Sequence, residues 1–397
     1  MNPPSIRIQS IDVFRALTML LMIFVNDLWT LKGVPKWMEH SQTFEDYMGL
    51  ADTVFPCFLF IVGMSIPFAI QRRIDSGDKN SRIVIHIATR SLALLVMGIF
   101  TVNLGSMDSK TTGLSEAIFE ILMVLGFFLC WNVYPKQDKT GKYISYALQT
   151  VGFIVLIILA ALYRSKSGSD GQVHWLQIKW WGILGLIGWA YGITSLIYLF
   201  IRNKLLVTGV VWVLFTMFNL SGFAGNFGFH LDKSPIEIFP GNGAFQSFAL
   251  AGVMASIIII NYSSLLKRML LFINLSIITL FIGLLEHPNF LISKNLASPP
   301  WIAFNCSIAF LLIAFLHWLI DVKGKASWFN IIKPAGTSTL TCYLVPYIIY
   351  SLFEIFPFQL PDILITGIPG LAKSLIFALL IIGITAGLQK INIRLRI

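Results

Sequence analysis

The sequence predicts an all-α integral membrane protein: a polytopic bundle of about 12 (10–12) transmembrane helices with both termini cytoplasmic. Three observations carry this expectation. Of the 397 residues, 56% are hydrophobic and only 12% charged, at a mean hydropathy of +0.77, whereas a soluble domain carries about 25% charged residues. The apolar residues fall into stretches of roughly 20, the length an α-helix needs to cross a hydrocarbon core of about 30 Å. Basic residues alternate between rich and poor loops along the chain. Helices are the expected element because each satisfies its own backbone hydrogen bonds where no water is available.

In chain order the expected spans are 11–31, 50–70, 83–104, 115–134, 144–163, 178–200, 205–220, 244–262, 269–286, 301–320, 335–356 and 368–389. The first contains Asp12 and Arg15 and lacks a small-x-small cleavage site, so it reads as a membrane helix rather than a signal peptide. The seventh is short and ends in Gly and Asn, the pattern of a re-entrant or broken helix. No soluble domain, low-complexity tract or internal repeat interrupts the series, and the longest connections are 32–49, 164–177 and 221–243.

Loop charge sets the expected orientation. Counting Arg7, Arg15 and Arg90 with the loops placed inside, the Lys and Arg tally is 20 inside against 8 outside, with Lys373 left within the last span. The positive-inside rule then puts both termini in the cytoplasm and the three long connections outside. The formal charge of +10 is explained by this topology, not by a nucleic-acid face. Cys57, Cys130, Cys306 and Cys342 lie inside apolar stretches with no paired spacing, so neither a disulfide nor a zinc site is expected.

Ionisable residues at membrane depth are costly and usually have a task. Asp12 and Arg15 stand three apart, on one helical face, as an expected ion pair at the inner interface. At the outer end of the first span come Asn26 and Asp27. His40 follows in the next loop, and Asp52 opens the second span within Gly49-Leu-Ala-Asp-Thr-Val-Phe-Pro56. Both helix ends face outward, so Asn26, His40 and Asp52 can converge. Imidazole titrates near neutral pH, a carboxylate can orient it, and an amide can hydrogen-bond a developing oxyanion. The remaining histidines, His86, His174, His230, His287 and His317, show no metal-binding spacing and read as structural or interfacial. The Gly-rich segment from Asn219 to His230, with Gly241-Asn242-Gly243 beyond and Trp175, Phe227 and Phe229 as stacking candidates, reads as an outer loop able to line a sugar or nucleotide site. No phosphate-binding loop or dinucleotide fingerprint occurs.

The run from Ser10 through Asp12, Phe14, Arg15 and Val25 to Asn26, then His40, then Ala51-Asp52-Thr-Val-Phe55-Pro56-Cys-Phe58-Leu-Phe60-Ile-Val-Gly63, resembles the opening of the heparan-α-glucosaminide N-acetyltransferase family. The resemblance covers roughly the first 75 residues. It implies acetyl transfer from acetyl-CoA to the amine of a glucosamine-type sugar across a membrane, with Asn26, His40 and Asp52 at the family's functional asparagine, active-site histidine and motif aspartate. The spacings from Asn26 to His40 and from His40 to Asp52 are longer here. Asp27-Leu28-Trp29 replaces the glycines that follow the family's asparagine.

On this reading 1–397 is one transmembrane acyltransferase domain of a bacterial cytoplasmic membrane, with acetyl-CoA as acyl donor, no metal and no nucleic acid. Its partners are an amino-sugar or glycan acceptor, membrane lipid and, as a candidate assembly, a second copy of the chain. Here His40 acts as general base or acetyl carrier, Asn26 positions it or stabilises an oxyanion, and Asp52 holds its tautomer. The rival class is a 12-helix secondary transporter of a sugar or small solute. Against it stand a short link between the sixth and seventh spans and few charges at helix centres.

Overall fold

The computed structural model describes residues 8–134, 139–166, 172–225 and 240–397. Twelve helices of 16 residues or more follow one another in them, one for each expected span: α1 (Gln9–Asp27), α2 (Ala51–Asp75), α3 (Asn80–Asn103), α4 (Glu116–Trp131), α5 (Lys139–Leu162), α6 (Ile183–Ile201), α7 (Leu205–Phe223), α8 (Ala244–Asn261), α9 (Leu265–Glu286), α10 (Pro299–Leu316), α11 (Thr339–Ile355) and α12 (Gly367–Lys390). Among the described residues, nine helices are long and apolar enough to cross a membrane. The other three are α1, which carries Asp12, Arg15 and Asp27, and α4 and α11, of 16 and 17 residues. The chain is a polytopic helical membrane bundle.

Local chemistry sets the helix limits. Ser115 and Ser264 accept the backbone N–H groups of Ile118 and Lys267 at the starts of α4 and α9, satisfying donors that have no helical partner. Pro299 and Pro300 open α10, where a missing N–H costs nothing. The expectation of a re-entrant or broken seventh span is incorrect: α7 is a continuous 19-residue helix. Its terminal Asn219 is buried and donates to the carbonyls of Gly241 and Ala297, so it ties down loops instead of breaking the helix. Gly241, Asn242 and Gly243, all at positive φ, make the sharp turn into α8. Phe227, Phe229 and His230 lie outside the described residues.

The bundle is organised around α8, whose apolar window is 94% buried, followed by α2 at 67%. These two cross at glycines: a Cβ on Gly252 would collide with the Phe60 carbonyl oxygen, and one on Gly63 with that of Ala249. Without a hydrophobic driving force inside lipid, close backbone approach of this kind is what makes helix association favourable. Overpacking the crossing would cost about 1–3 kcal/mol. By contrast, the windows of α5 and α7 are 17% buried and leave Ile154, Ile157, Val210 and Leu214 exposed. An apolar surface on the outermost helices of a membrane bundle is its lipid face.

The loops sort onto two ends. At one end, Lys32 pairs with the strand-like Thr366, Met107 with Ser165, and Asp46 with His287. At the other, Ser10 bonds Asp321, Arg15 reaches Gly336, Arg202 reaches Asn80, and Arg394 bonds Asn132. Alternate connections therefore share an end, as successive passes across one layer require. The Asp12–Arg15 pair forms at 3.3 Å, and all four cysteines are buried and free.

Candidate functional site

Asn26 lies in the last turn of α1. Met22, Ile23, Phe24 and Val25 are buried, whereas Asn26 is exposed to a cavity. After Asp27 the chain leaves the helix through two short turns, Leu28–Thr30 and Lys36–Met38. Gly49 then re-enters the bundle so close to Glu39 that any Cβ would strike the Glu39 carbonyl. This close passage folds the loop back over the start of α2 and brings His40 onto Asp52.

Asp52 holds three groups. Its Oδ2 accepts the backbone N–H of Ser41 at 2.9 Å and of Gly49 at 3.2 Å, and its Oδ1 accepts from His40 Nδ1 at 2.7 Å. The Asp52 side chain is 1% exposed and that of His40 47%. A neutral imidazole with its proton on Nδ1 leaves Nε2 with a free lone pair, the arrangement a general base or nucleophile requires. Hydrogen bonds to an ionised group contribute roughly 1.5–3 kcal/mol each, so the short loop segment is well anchored by this one carboxylate.

A cavity of about 330 Å³ has Asn26, His40, Trp181, Phe245, Lys294 and Asn295 in its wall. Trp181 and Phe245 meet edge to face at 5.8 Å and form an aromatic side. Lys294 arrives from the 287–298 loop and places Nζ 3.1 Å from His40 Nδ1 and 3.9 Å from Asp52 Oδ1. Burial pushes the Lys294 ammonium below the ordinary lysine range, and the Asp52 carboxylate offsets part of this. Since Nδ1 donates to Asp52, the ammonium acts on the pair through its charge on the shared carboxylate.

The 287–298 loop is tied to the 28–50 loop along its length. Asp46 accepts the Ile292 N–H at 2.7 Å and meets His287 Nε2 at 2.9 Å. Ser293 Oγ donates to the Thr43 carbonyl at 2.8 Å. Together the Ile292 amide, first, and His287 hold the Asp46 carboxyl below its ordinary range.

The structure thus brings Asn26, His40 and Asp52 to one place, with His40 and Asp52 in direct contact and Asn26 facing the same cavity. Among the described residues Asn26 has no hydrogen bond to His40; Asp52 does the positioning. Lys294 and Asn295 were missed in the sequence, where Lys294 is one of eight basic residues in the lysine-poor outer loops and nothing marks it as a neighbour of His40. Among the described residues no group of three His, Cys, Asp or Glu side chains could hold a metal ion.

A second cavity, of about 420 Å³, opens toward the other end of the bundle and is lined by Arg15, Arg90, Arg394 and Arg396. The Arg90 guanidinium stacks on Tyr191 at 4.5 Å, and its Nε is buried without a partner among the described residues. Met22 and Ile183 line both this cavity and that of His40.

Comparison with known proteins places the chain in context. It is 36% identical over 101 residues to heparan-alpha-glucosaminide N-acetyltransferase of Homo sapiens, covering 25% of this chain and 14% of that protein. It is 32% identical over 141 residues to the protein of the same name in Mus musculus, covering 33% of this chain and 21% of the relative. The chain therefore spans only a small part of the length of these curated relatives. The family described as "Domain of unknown function (DUF5009)" matches residues 7–233, more than half of the chain, and the chain belongs to that family.

Proposed function

We propose that the protein is a membrane-embedded N-acetyltransferase that moves an acetyl group from acetyl-CoA to the amine of a glucosamine-type sugar at the His40 end of the bundle, taken as the outer face of a bacterial cytoplasmic membrane. The observation that carries the reading is the His40–Asp52 pair at 2.7 Å on the wall of a cavity that also holds Asn26, in a chain partly similar to a named N-acetyltransferase. Asp52 fixes the His40 tautomer, and Nε2 serves as general base toward the acceptor's ammonium or as acetyl carrier. Asn26, with no competing bond, offers its amide to the developing oxyanion.

The four arginines of the second cavity suit a group bearing several phosphates, because guanidinium forks bind phosphate oxygens in pairs. Arg15, Arg90, Arg394 and Arg396 are therefore the residues that would hold acetyl-CoA. When bound it supplies an acyl group activated as a thioester. The two cavities share Met22 and Ile183 in their walls, which favours a second reading, a transporter that passes a small solute between the two ends.

The test is acetyl transfer from radiolabelled acetyl-CoA to a panel of amino sugars by the purified, detergent-solubilised protein beside His40→Ala. The expected result is transfer by the parent, reduced about 10²-fold or more in the folded variant. Solute uptake by proteoliposomes, with no transfer to any acceptor, establishes the transporter instead.

A further inference from the structure

We propose that the cavity enclosed by α1, α4 and α11 is a cation subsite that takes the ammonium group of the acceptor; this rests on the amino-sugar reading above and names the site that selects it. The cavity measures about 170 Å³ and is lined by Glu120 of α4, Tyr343, Tyr347 and Tyr350 of α11, and Met22 and Asn26 of α1. Met22 and Asn26 also line the His40 cavity, so a group held beside Glu120 lies next to the site of transfer.

Charge argues for a cationic ligand. Glu120 Oε2 accepts the Ser351 hydroxyl at 2.5 Å, and among the described residues no basic side chain pairs with it. The charged groups that act on it are Glu116 and Glu354, both acidic. Carboxylates on the neighbouring helix are provided for differently. Asp12 has Arg15. Asp27 accepts from Lys373 Nζ at 2.7 Å, Ser374 Oγ at 2.6 Å and Tyr350 OH at 2.7 Å, which also occupies Lys373. A carboxylate at membrane depth without a built-in counter-charge is costly, and a ligand ammonium supplies what the chain does not.

The aromatic lining points the same way. The Tyr343 and Tyr347 hydroxyls face each other at 3.2 Å and the Tyr350 hydroxyl is given to Asp27, and all three tyrosines line the cavity. A carboxylate among phenol rings favours an ammonium through both charge and cation–π attraction. Glu116 lies one turn from Glu120 toward the start of α4, and Glu354 lies at the end of α11. Both helix ends belong to the His40 side, where Lys166 also acts on Glu116. Acetylation turns the ammonium into a neutral amide, so the subsite holds the substrate and releases the product.

The experiment is equilibrium binding of radiolabelled glucosamine to the purified full chain in detergent, without acetyl-CoA, with unlabelled glucosamine and N-acetylglucosamine as competitors. The expected result is competition by glucosamine and not by N-acetylglucosamine, at least tenfold weaker binding in Glu120→Gln and partial recovery in Glu120→Asp. Tyr347→Leu removes a ring and no charge, and is expected to weaken binding as well should Glu120→Gln fail to fold. Parent-like binding in a folded Glu120→Gln or Tyr347→Leu, equal competition by N-acetylglucosamine, or no glucosamine binding by the parent overturns the subsite. Glu120-dependent binding without any acetyl transfer leaves the subsite standing and removes the acyltransferase reading.

Discussion

Asp52 is the residue on which the candidate site turns, because one carboxylate closes the start of α2, anchors the Ser41 backbone and orients His40. Lys294 competes for the same charge from 3.9 Å. Lys294→Met removes that cation from beside the pair, so the acid limb of acetyl transfer is expected to move to higher pH. Lys294→Arg keeps the charge and should keep the parent profile. A pH–rate profile of the three proteins checks this, and identical acid limbs in parent and Lys294→Met would remove Lys294 from the proton balance.

At the scale of elements, the site exists because two loops distant in sequence are clasped. The chief fastening is Asp46, which takes the Ile292 N–H and His287 Nε2. Its carboxyl is held below the ordinary aspartate range, so its contribution is fully present above about pH 3.9, the unfolded value. That contribution is lost as pH falls through the lower folded value. Corrected for intrinsic rate, hydrogen exchange across 287–298 is therefore expected to quicken only on acidification below that range in the parent. Asp46→Asn should bring it forward to neutral pH, by roughly threefold to tenfold for an exposed charge-assisted bond. Unchanged exchange in the variant would assign the loop's order to Ser293 and Asn295 instead.

For the molecule as a whole, the same alternation that sorts the loops fixes which residues can be reached from which side. Because all four native cysteines are buried, single cysteines introduced at exposed loop positions report cleanly. Gln42→Cys, near His40, is expected to react with a membrane-impermeant maleimide added to intact cells. Ser76→Cys, beyond α2, should react only after the membrane is opened. Labelling in the reverse order would invert the bundle and place the arginine-lined cavity outside, against the positive-inside rule.

The twelve helices were legible in the sequence, because apolar length and loop charge are local properties that a bilayer reads one segment at a time. The gathering of Asn26, His40 and Asp52 at one mouth was legible too, because the end of one span and the start of the next share a side. The sequence misread α7, because Asn219 looks like a helix breaker until the Gly241 and Ala297 carbonyls it serves are in view. Glu120 stood, one turn after Glu116, inside an apolar stretch, a signal that intramembrane charge should have raised, but its three tyrosines come from a helix more than 200 positions away. Lys294 reaches His40 across 254 positions. Packing decided these partners: inside the bundle, a charge is matched by whatever helix lies beside it, and neighbours in space follow from helix crossings such as Gly63 with Gly252, which no local pattern specifies.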